Sequence, residues 1–320
     1  MTSFPDPVRV RSHDIELSVH IGGPEDGLPL LLIHGWPELG YSWKPVWDHL
    51  VGAGFRVIAP DLKGFGASDA PEDPDLYGID EMTADLTGLL DTLGIEKAVW
   101  CGHDWGGIIM WQAACLEPER FLGAIGVNTP HLPRPSTPPS EAFKMMGGED
   151  HYILQFQDPE TVREAFEGKE EAFFNYIFAV PPPAEMLDKL FPGVTHIIRN
   201  FKKHPGRPET ELVVPAADRS VYAKAYAKTG AVTPTHVYRN FDRNWERMGG
   251  VDHRLSLPCL MIAADADFML PPMLMQWMPA LCSDLESHVL EGCGHWTMWE
   301  KPDELAAFIE EWVTRRFGAG

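Results

Sequence analysis

Residues 102–107 read GHDWGG, between the apolar run Lys97–Cys101 and a stretch with helical spacing. A nucleophile flanked by small residues, between a strand and a helix, is the pattern of a nucleophile elbow. The elbow usually carries Ser; here its tip is Asp104. The substitution changes what can be attacked. At an sp3 carbon a Ser would leave an ether, which water does not readily cleave. A carboxylate leaves an ester, and water can hydrolyse that ester at its acyl carbon and regenerate the acid. A free carboxylate is ionised near neutral pH and needs no base to activate it. The base is needed in the second step, where a neutral imidazole takes a proton from water.

An Asp nucleophile therefore needs an imidazole and an acid to orient it. In elbow enzymes these follow the nucleophile in the order acid, then His. Asp267 lies in ADADFML, after the apolar run 259–264, and His295 lies in CGHWT, after Ser287–Leu290. A late His is by itself more often a structural imidazole. Order, spacing and the position at strand ends together point to His295 as the base. Asp265 competes with Asp267 for the acid, whereas Asn128 is uncharged and cannot serve. The tetrahedral intermediate also needs hydrogen-bond donors. HGWPE at 34–38 follows the strand-like run 29–33, where half of an oxyanion hole forms. The backbone N–H groups of Trp36 and Trp105 are the expected pair. Pro37 forces an unusual turn, for which a cis peptide is available. His34, Glu38 and His103 are expected in loop-supporting hydrogen bonds.

The elements that must position these residues alternate. Runs at Pro29–Ile33, Phe55–Ala59, Lys97–His103 and Phe121–Val127 read as buried strands. Trp43–Leu50, the face Ile79–Leu93 and the segment after Asp104 read as helices. This is the alternation of a mostly parallel, doubly wound sheet. Residues 131–250 differ. They begin with Pro133, Pro135, Pro138 and Pro139, carry Pro181–Pro183, and contain helical aromatic stretches such as Phe173–Phe178. The expected organisation is a core of residues 1–130 and 251–320 with a helical insertion at 131–250. The strand pattern resumes at Cys259–Ala263, and a last helix is expected from Pro302, with Leu305, Phe308, Ile309 and Trp312 as its stripe.

Composition narrows the setting. The 320 residues carry a formal charge of −21 and are 44% hydrophobic. Such a chain can build a large core and is ill suited to nucleic acid or anionic membranes. Its five cysteines have no C-x-x-C spacing and read as thiols of a reducing compartment. The N-terminus has no apolar signal core, and no run approaches a membrane span. A cytoplasmic protein, monomeric or homodimeric, is expected. No cofactor is implied and no metal: there is no P-loop, no G-x-G-x-x-G and no His/Cys motif at metal spacing.

Taken together, HGWP at 34–37, DLKGFGASDAP at 61–71, GHDWGG, DFML at 267–270 and GHWT at 294–297 resemble the α/β-hydrolase fold family, and within it the epoxide hydrolases. The resemblance spans nearly the whole chain. It implies an α/β-hydrolase fold, a small-molecule epoxide as substrate, and 131–250 as the lid. It selects Asp267 over Asp265, because the family's acid heads a D-F-x-L-like stretch. It also implies two lid tyrosines acting on the epoxide oxygen. VYRNFDRNW at 237–245 selects Tyr238, and HYILQFQ at 151–157 selects Tyr152, from five lid tyrosines that the residues alone leave open. Trp105, Phe156, Phe268 and Trp296 are expected to line the pocket. Haloalkane dehalogenases share the Asp elbow, and some members of the fold are non-catalytic receptors. The tyrosine pair speaks against the former and the intact Asp104–Asp267–His295 set against the latter.

Overall fold

The computed structural model describes residues 4–181 and 195–318, so Pro182 and Pro183 lie outside the described residues. Eight strands build one sheet: β1 Val8–Ser12, β2 Ile15–Gly22, β3 Pro29–Ile33, β4 Arg56–Pro60, β5 Ala98–His103, β6 Phe121–Val127, β7 Leu255–Ala264 and β8 Cys282–Leu290. Their spatial order is β1-β2-β4-β3-β5-β6-β7-β8. β1 and β2 pair antiparallel, as do β2 and β4, and every later pair is parallel. The apolar runs read from the sequence fall on β3 to β8. The first two strands do not announce themselves, because β1 lies at the edge with its first two residues exposed.

The central strands are buried on both faces, as parallel strands covered by helices must be. Alternate residues of β3 enter different layers. Leu31 and Ile33 join Leu86 and Leu89 of the helix Ile79–Thr92 and Ile109 of the helix Trp105–Leu116. Leu30 and Leu32 join Trp47, Ile309 and Trp312 on the other side. The last helix runs Pro302–Phe317, with Pro302 in its first turn and Asp303 and Glu304 beside it, where a carboxylate suits the helix dipole. Arg315 and Arg316 at its far end reach Glu286 and Asp284 of β8. Leu305, Ile309 and Trp312 of the expected stripe are fully buried, while Phe308 is half-buried and stacks on His288 at 4.3 Å.

Among the described residues, the elements between β6 and β7 are α- or 3-10 helices, apart from one isolated bridge between Ala179 and Leu212. Hydrogen bonds fasten this segment to the sheet domain. Asp218 accepts from Tyr41 and Lys44 at 2.7 and 2.6 Å, and Ser42 meets the Tyr222 hydroxyl at 2.8 Å. Asn244 accepts from the Ile79 N–H at 2.8 Å and so caps the helix Ile79–Thr92.

The elbow at the end of β5 is a constrained turn. Asp104 has φ 50° and ψ −120°, outside the common regions for a residue with a Cβ, at a typical cost of about 1–3 kcal/mol. Gly102 and Gly106 stand two residues to either side of it, where nothing larger fits. A Cβ on Gly106 would lie 2.1 Å from the Ile33 carbonyl oxygen, and one on Gly102 would lie 2.3 Å from that of Gly106. Gly106→Ala is therefore expected to lower stability by about 3 kcal/mol, the upper range of overpacking. Urea unfolding would show this as a lower midpoint at unchanged slope. An unchanged midpoint would contradict the close approach of β3 to the helix.

Candidate active site

Five adjacent parallel strands each deliver one part of the site from their carboxyl ends, where open α/β sheets bind ligands. Trp36 follows β3, Asp104 follows β5, Asn128 follows β6, Asp267 follows β7 and His295 follows β8. The Trp36 N–H donates to Asp104 Oδ1 at 2.8 Å, and the Trp36–Pro37 peptide is cis. Gly35 lets this approach happen: a Cβ there would lie 2.3 Å from Asp104 Cβ. Trp105 begins the helix, so its N–H has no intrahelical acceptor and is free to serve a ligand.

His295 sits between two carboxylates. Its Nδ1 is 2.9 Å from Asp267 Oδ2, and its Nε2 is 3.8 Å from Asp104 Oδ2. Asp267 is buried and its charge is fully used. Oδ1 accepts the Met269 and Leu270 N–H groups at 2.9 and 3.0 Å, and Oδ2 accepts Asn128 Nδ2 at 2.8 Å. Asp265 instead accepts the Cys293 N–H at 3.2 Å. The structure thus brings Asp267, not Asp265, to the imidazole. Burial alone would lower the His295 pKa. The attraction and hydrogen bond of Asp267, followed by the charges of Asp104 and Glu38, outweigh it and raise the pKa to about 9. Burial would raise Asp267, but His295 and the donors hold it below the usual carboxylate range.

Several residues around this set were not singled out for a role at the site. Asn128, at φ 61°, spends its amide on Asp267 and Gly294 O and accepts the Thr297 hydroxyl at 2.6 Å. It therefore fixes the acid and the His loop together. Glu300 accepts the N–H groups of Gly294 and Trp296. His103 donates from Nε2 to the His295 carbonyl at 2.8 Å, with Nδ1 2.6 Å from Glu38 Oε2, which also accepts the Gly35 N–H. The His34 Nε2 accepts the Leu62 N–H. His34, Glu38 and His103 thus make loop hydrogen bonds, as expected of them. Asn128 had only its position after β6 to mark it.

Tyr152 and Tyr238 come together although they lie on separate short helices, Tyr152–Gln155 and His236–Arg239. Their ring centroids are 5.6 Å apart, and the Trp105 ring meets Tyr238 edge-on at 5.0 Å. Trp36 packs on both rings, and Phe156 meets Tyr238 at 5.2 Å and Tyr152 at 5.3 Å. Gln157 Nε2 donates to the carbonyls of Ile153 and Tyr238 at 2.9 and 3.0 Å. Burial, reinforced by the nearby Asp104 charge, pushes both phenols above their usual pKa. They are protonated donors at neutral pH. The other lid tyrosines are engaged elsewhere: Tyr176 packs on Phe201, Tyr222 bonds Ser42, and Tyr226 packs on Phe174. Trp296 is buried against His295 and Phe178, at 4.8 Å from each ring. Phe268 is half-buried and is not among the rings that pack on the tyrosines.

Known proteins share this fold. Residues 29–302 match the α/β hydrolase fold family. Epoxide hydrolase A of Mycobacterium tuberculosis is 35% identical over 95% of this chain and 96% of its own length. The crystal structure of Epoxide Hydrolase A from Mycobacterium thermoresistibile superposes with a TM-score of 0.87 at 33% identity, covering 97% of this chain and 98% of that one. The Bifunctional epoxide hydrolase 2 of Sus scrofa is 33% identical over 95% of this chain, which spans 53% of that longer protein. The chain belongs to the epoxide hydrolase family of the α/β-hydrolase fold.

The charge arrangement is open to measurement. Asp104→Asn removes one of the carboxylates that stabilise the imidazolium, so the neutral form gains and the His295 pKa falls below about 9. Ring-nitrogen NMR titration, with the His295 signal assigned by its loss in His295→Gln, would follow the shift. A pKa that does not fall would mean that Asp104 contributes nothing to the imidazolium.

Proposed function

We propose that the protein hydrolyses epoxides to vicinal diols through an ester on Asp104. The observation that carries this reading is the phenol pair. Tyr152 and Tyr238 stand buried and protonated within electrostatic reach of the carboxylate that Trp36 holds by Oδ1. A departing halide wants N–H donors and has no use for an acid. An opening epoxide develops an alkoxide and takes a proton. The phenols therefore favour the epoxide over a haloalkane, in keeping with the names of the relatives.

The sequence of events follows from the charges. Asp104 Oδ2, which Trp36 leaves free, attacks a ring carbon. The C–O bond breaks and the oxygen takes a proton from the tyrosine pair. The ester is neutral, so His295 loses one of the two carboxylates beside it and its pKa falls. The imidazolium gives up its proton, which restores the tyrosine through solvent. Neutral His295 then deprotonates a water that attacks the Asp104 acyl carbon. The N–H groups of Trp36 and Trp105 hold the oxyanion, each such donor typically contributing ~3 kcal/mol. Asp267 holds the imidazole and steadies its charge. The alkoxide leaves with the proton from His295 as the diol, and Asp104 is free again. Residues 131–250 are the lid in this reading, and Phe156, Trp296 and Phe268 flank the substrate. The cytoplasm suits the five free cysteines. Among the described residues no helix is long and apolar enough to cross a membrane.

In a single turnover in heavy-oxygen water, the first diol is expected to carry oxygen from Asp104, with label entering the carboxylate. Full label in that first diol would mean direct attack by water. His295→Gln is expected to form the ester and hydrolyse it slowly, visible as an adduct by intact-mass spectrometry. Normal turnover by the folded variant would remove His295 from the mechanism. The double change Tyr152→Phe and Tyr238→Phe is expected to slow alkylation by at least roughly 10²–10⁴-fold, the usual contribution of a positioned acid. Each single change should cost less. A folded double variant that alkylates at the normal rate, or halide release from a short haloalkane, would transfer the reading to a dehalogenase.

A further inference from the structure

Cys115, His131 and His253 are far apart in the chain, separated by 16 and 122 residues. In the fold their sulfur and one ring nitrogen of each His lie within 4.8 Å of one another. The Cys115 Sγ is 4.0 Å from His131 Nε2. The two imidazoles are parallel to within 9° with centroids 6.2 Å apart, and His131 rests on Trp111 at 5.5 Å. The cluster's place in the chain is specific. Cys115 belongs to the last turn of the helix that Asp104 begins. His131 lies just after β6, where the chain leaves the sheet for the helical insertion, and His253 lies just before β7, where it returns.

We propose that Cys115, His131 and His253 form a binding site for a Zn²⁺-type divalent cation, which fastens both connections of the insertion to the helix carrying the nucleophile. A thiolate and two imidazoles suit Zn²⁺ and its thiophilic neighbours and not Ca²⁺ or Mg²⁺, which take oxygen ligands. Bond lengths of about 2.3 Å to sulfur and 2.0–2.1 Å to nitrogen place tetrahedral ligand atoms roughly 3.5 Å apart, so the cluster must close by about 1 Å. Cys115 and His253 are half-buried and give a cation access, while His131 is buried. Without a cation, His131 Nε2–H donates to the His253 carbonyl at 2.7 Å. The cation takes over that nitrogen, and the ring proton moves to Nδ1. Burial keeps His131 neutral, its pKa lowered to about 4, and ready to bind. Burial also raises the Cys115 thiol to about 12, with Cys282 and Asp252 adding to it, so the cation must displace the thiol proton to solvent. The step is ligand exchange alone: one S–H bond breaks, one metal–sulfur bond forms, and nothing is oxidised.

The full-length protein, stripped with a chelator and titrated with Zn²⁺ by calorimetry and with Co²⁺ by absorption, tests the site. One Zn²⁺ per chain is expected, with a thiolate-to-cobalt band in the near ultraviolet and a higher melting temperature on Zn²⁺ addition. Cys115→Ser and His253→Gln alter half-buried side chains outside the reacting set, and their folding is checked by circular dichroism. Each is expected to weaken Zn²⁺ binding by at least the roughly 10–100-fold lost with an outer-shell partner, and Cys115→Ser to abolish the cobalt band. No Zn²⁺ binding by the wild type, a cobalt complex without the thiolate band, or undiminished affinity in either folded variant would overturn the proposal. The last result would place any bound ion elsewhere, for instance on the carboxylates at His295.

Discussion

The backbone of Asp104 is the constraint on which the rest depends. Its φ of 50° and ψ of −120° lift the carboxylate off the end of β5 and aim it between the loops that follow β3 and β8. That posture holds only if three segments of the chain approach closely. Gly35, Gly102 and Gly106 are the points of contact, and none has room for a Cβ. The apolar strands β3 and β5, paired over Leu30 to Ile33, hold the elbow against its wish to relax. Here core packing stabilises the strain, and the strain exposes the Asp104 carboxylate.

The second organising element is electrostatic. An imidazole flanked by Asp104 and Asp267 offsets the repulsion between two carboxylates gathered at one site. Like charges left alone would raise each other's pKa. Asp267 stays ionised through four hydrogen-bond partners, two of them backbone N–H groups. It is therefore a fixed charge, whereas the Oδ2 of Asp104 faces His295 Nε2 from 3.8 Å and only its Oδ1 is held, by the Trp36 N–H. The two acids are chemically identical and differ in what surrounds them.

Much of this was legible in the sequence because it lies in local signals. Buried parallel strands leave unbroken apolar runs, and the elbow, the HGWP turn and the late His are contiguous motifs at strand ends. The choice of Asp267 over Asp265, and of two tyrosines among five, came from family resemblance, since neither periodicity nor spacing distinguishes them. What stayed hidden was the edge hairpin of β1 and β2, whose only signal is a short polar–apolar alternation and not the unbroken apolar run of the buried strands. Also hidden were contacts between distant segments. Asn128 could be dismissed as an acid but not recognised as its support. The Cys115–His131–His253 cluster exists only once the chain has gone out through the insertion and come back.

The amide of Gln157 carries an implication of its own. One nitrogen donates to Ile153 O and to Tyr238 O, and so ties the turn bearing Tyr152 to the turn bearing Tyr238. The gap between the two phenols is therefore a dimension internal to the helical segment, like the spacing of the jaws of a clamp. Its distance from Asp104 is set separately, by contacts such as Asn244 with Ile79 and Asp218 with Lys44. Spacing and reach thus rest on different hydrogen bonds, with Trp36 packing on both rings as their common contact. Sequence change at the seam between insertion and sheet can retune how far the two phenols stand from the carboxylate, and leave the spacing between them as it was.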